Sequence, residues 1–171
     1  LPSVHLTIAR LFLSQMTNDE IEMQLFDIVN HLNNGLSRIH NRNEKDKVIS
    51  LNIRAAFKAK DSIAYAAAQH YFLQAIALLH VNTWVEDYEK TYNLYLALAE
   101  CTYLDAKFDQ SDEFFKVVLK NAKSNIDKAK VHNLRTSLYQ ITGQYDRAVT
   151  ASIEAFSLFD ISLPSKADLK L

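Results

Sequence analysis

Glycine and proline are nearly missing from this chain, which holds two of each in 171 residues. Tight turns, left-handed backbone and phosphate-cradling loops all lean on glycine. The shortage argues against a turn-rich β fold, and no GxxxxGK[ST] or GxGxxG loop is present. Cysteine is limited to Cys101, which excludes an internal disulfide framework and fits a reducing, cytoplasmic compartment. Charge of one sign is absent too: 19 basic and 20 acidic residues leave a net charge of −1. Nucleic-acid binding normally needs a basic excess or stripe, so no nucleic-acid partner is expected. The most apolar run, Ile63 to Leu79, is interrupted by Gln69, His70 and Gln74. It is too short and too polar for a membrane span, and no membrane insertion is expected. No secretory signal is seen, and the chain begins Leu1-Pro2 without an initiator Met, as an excised piece would.

What is present is a large apolar fraction, 49% of residues, enough to bury a sizeable interior in one domain or a few repeats sharing a core. Its pattern is helical. One frame occurs three times, an aromatic residue followed by side chains at +3, +7 and +10: Tyr65/Ala68/Phe72/Ala75, Phe108/Ser111/Phe115/Val118 and Tyr145/Ala148/Ser152/Ala155. Steps of three and four keep all four positions on one helix face, where small residues let a neighbouring helix approach. These aromatic and small residues read as the contacts between helices. A face that recurs in successive segments predicts an all-α chain of stacked antiparallel hairpins.

The boundaries follow from local signals. Ser3 can cap a first short helix. Thr17-Asn18-Asp19-Glu20 is a capping box that opens a helix carrying Ile21, Leu25, Ile28, Val29 and Leu32, and Gly35 should close it in a left-handed turn. The hairpin helices are expected near 44–60 and 62–79, then 84–105 and 109–123, then 125–142 and 145–159, with Gly143 ending the fifth. Leu163-Pro164 marks the exit from the structured part. The domain reading is an N-terminal helical segment over 1–42, three hairpins over 43–164 and a tail or linker over 165–171.

Gly143-Gln144-Tyr145-Asp146-Arg147-Ala148, with Ala155 following and Tyr139 six residues before Tyr145, resembles the second half of a tetratricopeptide repeat. Ala99 and Phe108 hold the matching places in the preceding hairpin, and Ala56, Tyr65, Ala68 and Ala75 in the first. Tyr65 to Phe108 is 43 positions and Phe108 to Tyr145 is 37, against the family's uniform 34, and the family's Trp and Pro are absent. The resemblance is therefore to divergent repeats, and it implies a right-handed solenoid. A narrower likeness runs from Leu6 to Pro164. It is carried by Phe26 to Gly35, Leu51 to Ala68 and Leu98 to Leu104, and departs at Ala56, Phe57 and Ala106. These segments resemble the helical region downstream of the ATPase module in large signalling proteins that join a serine/threonine-kinase-like domain, an ATPase, a GAF sensor and a histidine kinase. That likeness implies ATPase and kinase activities on other parts of a parent protein.

Residues that could carry chemistry read more simply as structure. The six His residues show no metal-ligand spacing, and His70 and His132 suit helix surface or packing. Cys101 reads as a buried structural thiol, with no His placed by sequence to activate it. Asp109, Asp112 and Glu113 are the acidic residues expected in a helix's first turn. No catalytic residue, cofactor or metal is expected. Trp84, Tyr88, Tyr92 and Tyr95 form an aromatic stripe for packing, with docking of a partner helix or peptide as the alternative. The repeat alignment places a protein-binding groove on the first helix of each hairpin, and its candidate residues are Phe57, Lys60, Asn93, Glu100, Tyr103, Lys130, Asn133, Ser137 and Gln140. Tetratricopeptide co-chaperones hold a carboxylate there with Lys/Asn/Asn/Lys/Arg. The corresponding Ile53, Phe57, Ala97, Lys130 and Leu134 match only at Lys130, which argues against that function. The expected role is a non-catalytic scaffold contacting other domains of the parent protein, or a protein or peptide partner; a stand-alone peptide-binding adaptor is the alternative.

Overall fold

The computed structural model describes residues 1–162, and the expected exit at Leu163-Pro164 and the tail lie outside them. The described chain is all-helical. Its helices are α1 (Pro2–Gln15), α2 (Asn18–Met23), α3 (Leu25–Gly35), α4 (Arg42–Asp61), α5 (Tyr65–Ala77), α6 (Thr83–Glu86), α7 (Tyr88–Leu104), α8 (Phe108–Asn121), α9 (Asn125–Ile141) and α10 (Tyr145–Ser157). A 3-10 turn, Leu36–Arg38, follows α3. Two compact units divide between Thr83 and Trp84, so the expected division at 42/43 falls inside the first unit.

In the first unit α3 packs on α1 and α4, and α4 pairs with α5. Leu25, Ile28, Val29 and Leu32 of α3 and Val48, Ile49 and Ala55 of α4 are buried, and Ala59 on α4 lies with Ala68, Phe72 and Ala75 of α5 among the core residues. Polar register is set by Asn33 and Asn52, whose amides exchange two hydrogen bonds of 2.9 Å. Asn52 is fully buried and also donates to the Val48 carbonyl, so a slip of α3 along α4 would strand a buried amide.

Three expectations for this unit are corrected. Ser3 does not cap the first helix but lies inside it, since α1 starts at Pro2 with Leu1 at the cap position and no side-chain cap. The helix opening at the Thr17 capping box is present, but it breaks at Gln24 into α2 and α3. Across that break α4 supplies cations: the Lys58 ammonium donates to the Glu22 carbonyl, and Arg54 pairs with the Glu22 carboxylate. Gly35, in turn, is not left-handed; its φ is −93°. Its value is closeness. A Cβ there would lie 2.8 Å from the Leu6 Cβ and 3.0 Å from the Leu6 nitrogen, so the missing side chain lets α1 seat on α3.

The second unit holds the hairpins α7–α8 and α9–α10 around Tyr92, Ala99, Tyr103, Phe115, Val118, Val131, Leu138, Tyr139, Ala148 and Ala151. The expected helix over 84–105 is broken at Asp87. On an unbroken helix Trp84 and Tyr95 would lie about 16 Å apart along the axis. The break folds the indole back to 5.2 Å from the Tyr95 ring.

All three hairpin turns share one geometry. Ile63, Ala106 and Gly143 have φ of 62°, 60° and 72°, each two positions before the frame's aromatic residue. The next residue, Ala64, Lys107 or Gln144, donates its N–H to the carbonyl five residues back, at 2.9, 3.1 and 2.8 Å. This is a Schellman closure. Only the third turn uses the glycine that the conformation favours.

Within the frame the small residues do the packing. Ala68, Ala75, Ser111, Val118, Ala148 and Ala155 are all buried. Ser111 lets α8 come close enough for its hydroxyl to donate to the Ala99 carbonyl of α7 at 2.7 Å. The leading aromatics are not uniformly contacts between helices, since Tyr145 is 68% exposed.

Candidate protein-binding surfaces

Phe57 and Lys60 lie on α4 in the first unit, and the other seven expected groove residues lie on α7 and α9 in the second. On α4 the spacing of Ile53 and Phe57 puts both on one face. They line an open hollow of about 560 Å³ with Glu22, Arg54, Lys58, Asp61 and Ser62. Phe57 is 37% exposed and is held by an edge-on contact with Phe72, ring centres 5.2 Å apart. Arg54 holds the Glu22 carboxyl below its usual range, so Glu22 stays charged and keeps Arg54 and Lys58 at the rim. The result is an apolar floor edged by fixed charges, a surface suited to a protein segment with an apolar side chain and polar flanks. Lys60 is half-buried.

On α7, Asn93 is exposed and Glu100 half-buried. Tyr103 is a correction: it is 1% exposed and belongs to the core. Its hydroxyl lies 2.7 Å from the Thr142 hydroxyl and accepts from the Gln144 amide at 2.8 Å, so it fixes the α9–α10 turn and offers no surface to a partner. A surface position in the repeat alignment became an interior one because the turn of the next hairpin closes over it. On α9, Lys130, Asn133, Ser137 and Gln140 are exposed. Lys130 is drawn to Asp127 at 3.5 Å, and the Ser137 hydroxyl donates to the Asn133 carbonyl at 3.1 Å. Asn133 reaches a separate hollow of about 360 Å³ between α9 and α10.

The aromatic stripe serves packing. Tyr88 donates to the Asp127 carboxylate at 2.9 Å and accepts from the Lys123 N–H at 3.0 Å. Tyr92 donates to the Asp127 carbonyl at 2.7 Å, and burial pushes its phenol up to about 12. Two tyrosines of α7 thereby hold the turn between α8 and α9. The Ser124 hydroxyl caps α9 by accepting the Asp127 N–H, and it helps hold the Asp127 carboxyl below its usual range.

The acidic group at the start of α8 does not converge. Glu113 pairs with Lys116 in solvent, whereas Asp112 accepts from Arg147 at 2.6 Å and from the Tyr139 hydroxyl at 3.2 Å. Arg147 also lies over the Tyr139 ring at 4.4 Å. Asp112 thus ties the two hairpins of the second unit together, a role that first-turn position alone does not reveal. Cys101 is fully buried in α7. Among the described residues, no helix is long and apolar enough to cross a membrane.

Over 141 residues, 77% of the chain, the sequence is 26% identical to the hybrid signal transduction histidine kinase G of Dictyostelium discoideum. The chain spans about 4% of that relative's length. No family model matches the chain, and no solved structure matches it. The chain is thus similar to one short stretch of a signalling kinase.

Proposed function

We propose that this chain is a non-catalytic, tetratricopeptide-like scaffold that couples domains within a cytoplasmic signalling ATPase or sensor kinase. The observation that carries the reading is the likeness of most of this chain to a small stretch of a much longer histidine kinase. The three identical hairpin turns support the repeat character. The fate of the polar side chains supports a scaffold: Asp112, Arg147, Tyr139, Tyr88, Tyr92 and Asp127 are engaged in holding helices together. Each unit offers a contact surface of its own: the floor at Ile53 and Phe57 with its charged rim in the first, and Asn93, Lys130, Asn133 and Gln140 in the second. Partners are other domains of the parent protein or a protein segment. Signal coupling requires a partner that binds two packings of these hairpins with different affinity.

The test is kinase output of the full-length parent carrying Phe57→Glu, or Asn93→Ala with Asn133→Ala, at exposed sites that should leave folding intact. Autophosphorylation is expected to lose its response to ATPase nucleotide state while the isolated kinase domain keeps its basal rate. An unchanged response in both variants would sink the proposal, as would ATP turnover by the isolated module.

A further inference from the structure

Two histidines from different helices meet where α1 lies closest to α3. His5 on α1 and His31 on α3 set their Nδ1 atoms 2.8 Å apart, within hydrogen-bond reach. Their ring centres are 5.0 Å apart, a separation that one hydrogen bond and two ring radii fill, so the two nitrogens point at each other. One turn further along α3 comes Gly35, whose missing side chain lets Leu6 seat directly on the helix. The backbones are thus held together beside the pair, and Phe12 stands edge-on to His31 with ring centres 6.3 Å apart. Both imidazoles are half-buried, so protons from solvent reach them.

A contact between two Nδ1 atoms needs one proton between them. One ring donates its N–H and the other accepts through a bare nitrogen, whether the pair is neutral or carries a single positive charge. A further proton removes the acceptor. Two N–H groups then face each other, and two positive charges share the site.

Little around the pair offsets that state. Among the described residues, neither imidazole has a carboxylate partner. Helix α1 carries Arg10, already held by Glu44 of α4 at 2.7 and 2.8 Å, and α4 presents Lys47 beside it. Helix α3 carries Asp27, one turn before His31, and the 3-10 turn that packs on both helices carries Arg38, with His40 just beyond. On α2, Asp19 is accompanied by Glu20, bonded by Thr17, and Glu22, bonded by Arg54. We propose that the His5–His31 pair is a latch that fastens α1 to α3 while it shares one proton and lets go when acid fills both nitrogens. Docking of α1 therefore weakens as pH falls through the range in which histidine gains its charge. Release would bare Leu6 and Ala9 of α1, both buried when docked, and the surface of α3 at Gly35. The inference stands on this pair and does not depend on the proposed function.

Hydrogen exchange of the whole chain tests it, with α1 amides compared with those of α4 and α5 after correction for intrinsic rates. From about pH 7.5 to about pH 5 the relative protection of α1 should fall about tenfold or more. His5→Asn with His31→Asn sets an amide at each Nδ1 position that cannot gain a proton, so its relative protection should hold steady over that range. His40→Asn, at an exposed site, should keep the wild-type fall. Imidazole nitrogen NMR of the wild type reads the latch without any variant. One Nδ1 should be protonated and its partner bare at the higher pH, and both protonated at the lower, with α1 amide signals changing in step. Wild-type protection that ignores pH would overturn the inference, as would an equal fall in the double asparagine variant or a fall abolished by His40→Asn. Two protonated Nδ1 atoms beneath a still-protected α1 would overturn it as well.

Discussion

Ile63 and Ala106 occupy backbone that suits neither. Both are left-handed, with φ near 60°, in the turn where Gly143 sits at 72°. A Cβ in that region costs about 1–2 kcal/mol, and glycine gives back about half through its greater freedom in the unfolded chain. Ala106→Gly and Ile63→Gly are each expected to stabilise the protein by about 0.5–1 kcal/mol. Gly143→Ala should destabilise it by a similar amount. Urea unfolding with unchanged m-values checks all three, and a destabilised Ala106→Gly would contradict the turn assignment. The sequence placed all three turns, near Asp61-Ser62, at Ala106-Lys107 and at Gly143, but marked the left-handed residue only for the last. Ile and Ala do not signal left-handed backbone, and the recurrence of the frame two positions downstream is what aligns Ile63 and Ala106 with Gly143.

At the level of elements, most helices were legible. Periodicity, with the Ser124 cap for α9, places α4, α5, α8, α9 and α10 within a few residues of their observed ends, and the Thr17 cap marks the start of α2. The breaks at Gln24 and Asp87 were not legible, because each coincides with a contact between residues distant along the chain or the helix: Lys58 to the Glu22 carbonyl, and Trp84 to the Tyr95 ring. Gly35 shows the same limit. Local rules assign it a left-handed turn, whereas the structure uses it for the close approach of Leu6. Gly35→Ala keeps an allowed backbone but sets a methyl against the Leu6 main chain, so it should cost about 1–3 kcal/mol. Leu6→Ala, which leaves that backbone in place, should not restore the loss. Thermal unfolding of the single and double variants measures this, and full rescue by Leu6→Ala would place the collision on Leu6 atoms beyond Cβ and contradict the close approach.

Across the whole molecule, pH should act through identifiable groups. His132 is buried on α9, beside Glu154 at 3.1 Å and Arg135 at 3.4 Å. Burial lowers its pKa; Glu154 opposes that and Arg135 assists it. The unfolded chain therefore binds a proton first on acidification, and stability falls as pH drops through about 6.5 towards the lower folded value. The carboxyls of Glu22, Glu44 and Asp127 are held low by Arg54, Arg10 and Ser124. Their contribution is lost only further down, as pH falls through the folded values. Trp84 is the sole tryptophan and lies in the second unit, so its fluorescence follows the unit that contains His132. Between pH 7 and 5 the wild-type midpoint should fall more steeply than that of His132→Gln. Parallel slopes would refute this role for His132.

The sequence alone determined that the chain is helical, where most helices lie, and that small residues at +3 and +10 of the frame face a neighbour. Those properties depend on side-chain periodicity and caps within a few residues of one another. Tertiary structure decided which positions face inward and which polar groups are already engaged. Tyr103 moved from an expected groove to the core because a turn some forty residues later closes over it. Asp112 became a tie between hairpins for the same reason. Burial is a property of neighbours brought together by folding, and a linear pattern records which face is apolar without recording what covers it.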